Sequence, residues 1–209
     1  MNYIESLQKR YSVKKFNKER KVAPDILQNI LEAGRLSVSS LGLQPYKIIV
    51  AETNEILEKL NPAFYNPSQI STCSHLLAIV SKKDIEPHYV DAYMKHIAEE
   101  RGITLEDLGL FRNNIDLFIK NSEGAKLENW SEKQSYIMLG TLIFASALEN
   151  VDTCPIEGFR QDLIGEILGL DAEKEKISVT LAIGYRAEDD VFQTFKKVRK
   201  PSEKFYKIK

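Results

Sequence analysis

Apolar and polar positions alternate in recognisable rhythms along this chain, and each rhythm predicts an element. Residues 75–80 read H-L-L-A-I-V, almost continuously apolar, which predicts a strand covered on both faces. Residues 47–51 predict a short buried strand, and the β-rich run I-S-V-T-L-A-I-G-Y at 177–185 predicts another. Helical spacing recurs elsewhere. Tyr3, Ile4 and Leu7 line one side of 2–9; Ile56, Leu57 and Leu60 line one side of 54–60; a short helix follows at 162–168. Behind Pro24 and Asp25, a favoured helix opening, come Ile26, Leu27, Ile30, Leu31 and Ala33, with Gly34 at or near the end. The segment 130–148 is apolar nearly all round, as for a helix buried in a core or a subunit interface, and Gly140, Ala145 and Ala147 permit close approach.

Between 85 and 127 the rhythm is helical but weak. Tyr89, Val90, Tyr93, Met94, Ile97 and Ala98 repeat at three and four, Gly102 interrupts, and 105–119 predicts a further helix. This segment reads equally as a peripheral excursion or as a cover over a pocket. Serines, a glycine and a proline make 37–46 a loop; 155–159 reads as a turn; the tail from Gln193 reads as extended. With no internal repeat and no low-complexity linker, the expectation is one α+β domain over residues 1–209.

Composition narrows the function classes. The chain carries a net charge of -1, which argues against a dedicated nucleic-acid binder. No apolar run reaches about 18 residues, so no membrane span is expected, and the N-terminus lacks the apolar run of a signal peptide. Cys73 and Cys154 stand far apart, and His75, His88 and His96 form no metal-binding pattern. The expectation is a reduced, cytoplasmic protein without a metal site.

Charge placement is less ordinary. Residues 9–21 hold seven Lys or Arg against one acid, Glu19, and residues 196–209 hold seven against one, Glu203. The middle of the chain is therefore acidic. Arg10 precedes Tyr11, and Ser12, Lys14 and Lys15 sit between Tyr11 and Phe16, a combination suited to a phosphorylated ligand with a polar or aromatic body, because arginine grips phosphate by two bonds and lysine adds a mobile charge. Lys197 and Arg199 alternate with Val198 and point the same way in an extended segment. Two ends meeting over one anion would explain the pattern; so would two separate nucleic-acid arms.

Five motifs in order then carry a resemblance over nearly the whole length: R-Y-S-V-K-K-F at 10–16, S-V-S-S-L-G-L-Q-P-Y at 37–46, Tyr65 and Asn66 ahead of the strand that begins after Ser74, P-I-E-G-F at 155–159, and K-V-R-K-P at 197–201. The chain resembles the flavin-dependent nitroreductase family, of the oxygen-insensitive NAD(P)H type. That resemblance implies an α+β sandwich with a central, mainly antiparallel sheet flanked by helices, in an intertwined homodimer. It implies a tightly bound, non-covalent FMN at each subunit interface, with NADH or NADPH as co-substrate and a nitroaromatic, quinone or related small molecule as acceptor. The flavin N5 carries the hydride, so no side chain is catalytic.

By the same resemblance Arg10, Lys197 and Arg199, with the hydroxyl of Ser12, hold the phosphate, and Tyr11 belongs to that contact run. Lys14 lies near the ribityl chain and pyrimidine edge, where a cation favours the reduced anion. Asn66 reads the same polar edge. Pro155, Ile156, Glu157 and Gly158 form the turn whose backbone N–H groups face N5, and Ser39 and Ser40 reach the flavin from the other subunit. Gln69 stands where many relatives carry lysine, Gly42 where many carry asparagine, and Tyr46 where many carry tryptophan. These departures bear on substrate preference. They leave room for a relative specialised for pterin reduction or dehalogenation. A non-enzymatic nucleotide or nucleic-acid binder built on the basic ends is the rival from another class.

Overall fold

The computed structural model describes residues 2–209. Its helices are α1 (Tyr3–Lys9), α2 (Pro24–Arg35), α3 (Asn54–Leu60), α4 (Pro87–Arg101), α5 (Gly109–Lys120), α6 (Ala125–Leu148), α7 (Gln161–Ile167) and α8 (Ser202–Phe205). The strands β1 (Tyr46–Ala51), β2 (His75–Lys82), β3 (Asp152–Ile156) and β4 (Glu175–Gly184) form one antiparallel sheet in the order β1-β2-β4-β3.

The sheet separates two cores because successive side chains of a strand point to opposite faces. Leu76 and Ala182 join one core with Val13, Phe16, Leu60, Ile70, Cys154 and Ile164, under α3 and α7. Leu77, Ile79, Leu181 and Ile183 join the other with Ile30, Met138 and Leu142, under α2 and α6. The α2–α6 contact is close. A Cβ on Gly34 would lie 2.7 Å from Leu142 Cδ2, so glycine inside α2, a cost of about 1 kcal/mol relative to alanine, is tied to this approach. Gly34 therefore lies inside the helix, which ends at Arg35.

Three expectations are corrected. The first strand is not fully buried: β1 is the sheet edge, and Lys47 is exposed and paired with Glu175 at 2.7 Å. The long helix begins at Ala125 rather than Trp130, its polar first turns held by Glu128 and Glu132 on Lys176 at 2.8 and 3.0 Å. Pro155 and Ile156 belong to a strand, β3, rather than to a turn. Proline is tolerated there because β3 is the last strand of the sheet and its further pairing is an isolated bridge at Thr153.

The 85–127 segment packs a small core of its own, with Leu43, Val90, Met94, Ile97, Leu108, Ile115 and Leu127 buried. It also pins the loop before β1: Tyr93 Oη donates to the Leu41 carbonyl at 3.0 Å, and Tyr89 Oη reaches the carbonyls of Leu43 and Gln44 at 2.9 and 2.8 Å. One face of α6 stays open. Ile137, Gly140, Phe144 and Leu148 lie along it and are exposed, beside exposed Leu36 and Val38. No helix among the described residues is long and apolar enough to cross a membrane.

Candidate functional site

The N-terminal basic run is held as an extra partial strand. Ser12 bridges Thr153 in parallel, and Val13 N–H donates to the Thr153 carbonyl at 3.2 Å. That pairing lays residues 12–14 along β3. On the other side, Ser68 Oγ donates to the Lys14 carbonyl at 2.8 Å, and Phe16 N–H donates to Thr72 Oγ1 at 3.0 Å, which stitches the 66–73 turn to the same run. Asp190 closes the arrangement. Its carboxylate accepts from the backbone N–H groups of Lys14 (2.9 Å), Lys15 (3.3 Å) and Phe192 (3.1 Å) and from the Tyr11 hydroxyl (3.0 Å).

The two basic ends of the chain do meet. Arg10, Tyr11, Ser12, Lys197 and Arg199 line one cavity of about 540 Å³ with Arg186 and Phe195. These side chains are not equally free to hold a ligand. Arg186 is committed to Asp152, with Nε at 3.0 Å from Oδ2, and its guanidinium lies 4.6 Å over the Tyr11 ring. Lys197 Nζ donates to the carbonyls of Leu7 and Arg10 at the end of α1, where the helix dipole favours a cation. Its first service is thus to tie the tail to α1. Arg10 differs: its Nε–H is buried with no acceptor, and Nη2 reaches Ser12 Oγ only at 3.5 Å. Burial lowers the Arg10 pKa, and repulsion from Arg199 adds to it; burial, Arg10 and Arg199 together lower that of Lys197. Like charges facing one another across a cavity favour an anion between them.

Four residues on, Lys14 Nζ lies 3.9 Å from the sulfur of Cys154 on β3. Burial raises the Cys154 pKa, and the neighbouring Lys14 and Gln69 partly offset it; Gln69 is 4% exposed, and its carbonyl oxygen is buried without a donor. Lys14, Cys154 and Gln69 thus form a second polar cluster, whereas Asn66 is exposed and its Oδ1 accepts from Ser68 N–H at 3.2 Å within its own turn.

Beyond Pro155 and Ile156, the Gly158 carbonyl accepts from Tyr65 N–H at 3.0 Å, and the exposed Tyr65 ring packs against Gly158. Glu157 accepts from Tyr136 Oη of α6 at 2.5 Å; burial and then this carboxylate raise the Tyr136 pKa. Ser39 and Ser40 are not brought to this edge. They precede β1, across the sheet from β3, with Ser40 N–H donating to buried Gln134 Oε1 at 2.8 Å and Ser39 Oγ accepting from Gln44 N–H at 3.0 Å.

Gly42 has a structural reason. Its φ is +68°, and a Cβ there would lie 2.2 Å from Tyr93 Oη but 3.4 Å from the next ring atom. Gly42→Ala is expected to cost about 1–3 kcal/mol by denaturant unfolding. In a Tyr93→Phe background most of the steric part should vanish. An equal cost in both backgrounds would show that the hydroxyl is not the obstacle.

Several contributors had no sequence signal. Asp190 sits in an acidic A-E-D-D run, Cys154 reads as an isolated thiol, and Gln134 falls in a polar S-E-K-Q-S stretch of α6. Pairing partners far away in the chain give each its role.

With this geometry in view, likeness to known proteins becomes informative. The sequence pattern of the nitroreductase family matches residues 7–185. A Staphylococcus haemolyticus protein described as a candidate NAD(P)H nitroreductase is 35% identical over 202 residues, covering 93% of this chain and 91% of its own. A Staphylococcus epidermidis structure described as a candidate NAD(P)H:FMN oxidoreductase superposes with a TM-score of 0.86 at 24% identity, over 99% of this chain and 95% of that one. A candidate nitroreductase of Exiguobacterium sibiricum, crystallised in complex with FMN, gives 0.85 at 22% identity, over 100% and 98%. Coverage of this extent leaves one conclusion: the chain belongs to the nitroreductase family, a family of oxidoreductases.

Proposed function

We propose that this chain binds FMN between its basic ends and the Lys14–Gln69 cluster, and works as an NAD(P)H-dependent reductase of nitroaromatics, quinones or related acceptors. The observation that carries the reading is a pair of buried polar atoms without partners: a donor, Arg10 Nε, and an acceptor, Gln69 Oε1, joined by the run from Arg10 to Lys14. Buried polar groups left unpaired are costly, and a ligand with a phosphate at one end and a polar ring at the other satisfies both. FMN, when bound, supplies two-electron hydride chemistry at N5.

The chain's own side chains bind and orient. Arg10 and Arg199 hold the phosphate, with Ser12 adding a hydroxyl; Lys197 fixes the tail that carries Arg199. Lys14 sets positive charge at the polar edge of the ring, and Asn66 lies within the neighbouring turn. The backbone at Glu157 and Gly158 faces the reacting side, kept in place by Tyr136 and Tyr65. A second copy of the chain completes the site. The open apolar stripe Ile137, Gly140, Phe144 and Leu148 supports this reading, as does the position of Ser39 and Ser40 at the far sheet edge, from which they would serve a partner.

Anaerobic mixing of the FMN-loaded protein with NADH or NADPH should bleach the flavin absorbance, and a nitroaromatic or quinone should restore it. Flavin that stays oxidised with both nicotinamides would contradict the reading. Gln69→Lys is expected to raise the two-electron potential of the bound flavin by about 30 mV, equivalent to about 1.4 kcal/mol, because a cation stabilises charge gained at the pyrimidine edge better than an amide dipole does. Potentiometric titration checks this; a potential that stays put or falls would place residue 69 away from that edge.

A further inference from the structure

A second cavity, of about 440 Å³, adjoins the phosphate clamp. Lys9, Arg10 and Arg186 line both cavities, whereas Arg20, Asn150 and Tyr185 line only the second. Four cationic side chains therefore surround it against one carboxylate, Asp152. That carboxylate is already taken by Arg186, whose Nε lies 3.0 Å from Oδ2. Lys9, Arg10 and Arg20 form no ion pair among the described residues. Arg20 is held ready. Its guanidinium carbon lies 3.6 Å from the centroid of the Tyr185 ring, a stacking contact that fixes the plane of the group and consumes none of its N–H donors. The helix ends on this wall are closed by protein donors. At the end of α6, Asn150 N–H donates to the Ala147 carbonyl at 3.4 Å and Val151 N–H to the Ser146 carbonyl at 2.8 Å; at the end of α1, Arg10 N–H donates to the Ser6 carbonyl at 3.0 Å. Uncompensated like charges gathered around one cavity favour an anion within it.

We propose that this cavity is a second anion site, which takes the phosphoryl group of a small phosphorylated molecule, with Arg20 as the cation it alone possesses and Lys9 and Arg10 shared with the clamp. Guanidinium groups suit a phosphoryl group because each presents parallel N–H donors to two of its oxygens. The volume falls within the range of about 300–1,000 Å³ that small-molecule sites occupy. Buried Ala147 and Val151 on the same wall offer an apolar surface to the body that carries the phosphoryl group. The site binds and performs no chemistry, and it stands whether or not FMN fills the neighbouring clamp.

Inorganic pyrophosphate is the probe. Isothermal titration at constant ionic strength, with the protein held in excess FMN so that the clamp is filled, should show one pyrophosphate bound per chain. Arg20→Ala should weaken that binding about tenfold or more, through loss of a charge-assisted contact. Lys18→Ala removes an equal charge from outside this cavity and should leave the affinity within about twofold. The absence of saturable binding to wild type would overturn the proposal, as would an unchanged affinity in Arg20→Ala. An equal loss in Lys18→Ala would also overturn it, by reducing the effect to general charge. Should Arg20→Ala fail to fold, Arg20→Gln, which keeps the length of the side chain over Tyr185 and removes the charge, decides in its place with the same expected loss. Failure of FMN to bind would overturn the functional reading alone. The titration is then run on the flavin-free chain, with Arg199→Ala as the variant that touches only the clamp: binding that depends on Arg20 and not on Arg199 supports the second site, and the reverse overturns it.

Discussion

Replacing Arg10 with alanine should weaken FMN binding about ten- to a hundredfold while leaving the apoprotein folded. The estimate is the loss of one charge-assisted contact to phosphate, roughly 1.5–3 kcal/mol. Arg10 is singled out because its Nε is buried and unpartnered, unlike Arg186, which Asp152 already occupies. The charge environment adds a second expectation. In the apoprotein burial and then repulsion from Arg199 lower the Arg10 pKa, and Arg10 in turn helps to lower that of Lys197. Removing it relieves that repulsion, so the thermal midpoint of apoprotein should hold or rise slightly. The rise in midpoint produced by added FMN should shrink, since a ligand stabilises in proportion to the logarithm of its concentration over Kd. Differential scanning fluorimetry with and without FMN separates the two effects. Unchanged FMN affinity would remove Arg10 from the phosphate clamp; an unfolded apoprotein would make its role structural.

Asp190→Ala should be the most destabilising single change near the site, by about 3 kcal/mol, because it strands four part-buried donors at once, three backbone N–H groups and the Tyr11 hydroxyl. For a chain of this size that corresponds to a fall of about 6–12 °C in the thermal midpoint. FMN affinity should fall too, since Asp190 anchors the backbone of Lys14 and Lys15. The pH dependence has a definite sign. Burial alone would raise the Asp190 pKa, but the N–H groups of Lys14, Phe192 and Lys15 and the Tyr11 hydroxyl outweigh it and hold the carboxyl below its ordinary range. A carboxylate with a depressed folded pKa contributes its full stability above the unfolded value, about 3.9, and loses it as pH falls through the folded value. The gap in stability between wild type and Asp190→Ala should therefore be constant near neutrality and narrow below about pH 4. Urea unfolding at several pH values checks this. A gap that widens in acid, or a variant as stable as wild type at pH 7, would show that Asp190 does not hold the run as a carboxylate.

What the sequence made legible follows from how local each signal is. The central strands β2 and β4 show as apolar runs because both of their faces are buried, which places apolar residues at successive positions. Helices α2 and α3 show through spacing and start signals. Charge alone left two readings of the basic ends, one shared anion or two separate arms, and the structure brings Arg10 and Arg199 to one cavity. Strand β3 was not legible: D-T-C-P-I carries a proline and reads as a turn, and only pairing with β4 makes it a strand. The first turns of α6 were missed because Ala125 to Asn129 are mostly polar, and their partner Lys176 lies about fifty residues away in sequence. Gly42 read as a lost polar group, whereas the structure ties it to the Tyr93 hydroxyl. Asp190, Cys154 and Gln134 escaped for the same reason as β3. Each acts through a contact with a distant segment, and periodicity carries no record of such contacts.

The central claim is that two of the five unpartnered buried side-chain atoms, Arg10 Nε and Gln69 Oε1, mark opposite ends of a flavin mononucleotide site. Titration of the purified, flavin-stripped chain with FMN, followed by flavin absorbance and by thermal midpoint, tests it most directly. The account predicts saturable binding of one FMN per chain, a yellow protein after gel filtration and a raised midpoint, all weakened by Arg10→Ala. A protein that stays colourless after incubation with excess FMN, with no change in its midpoint, would contradict it.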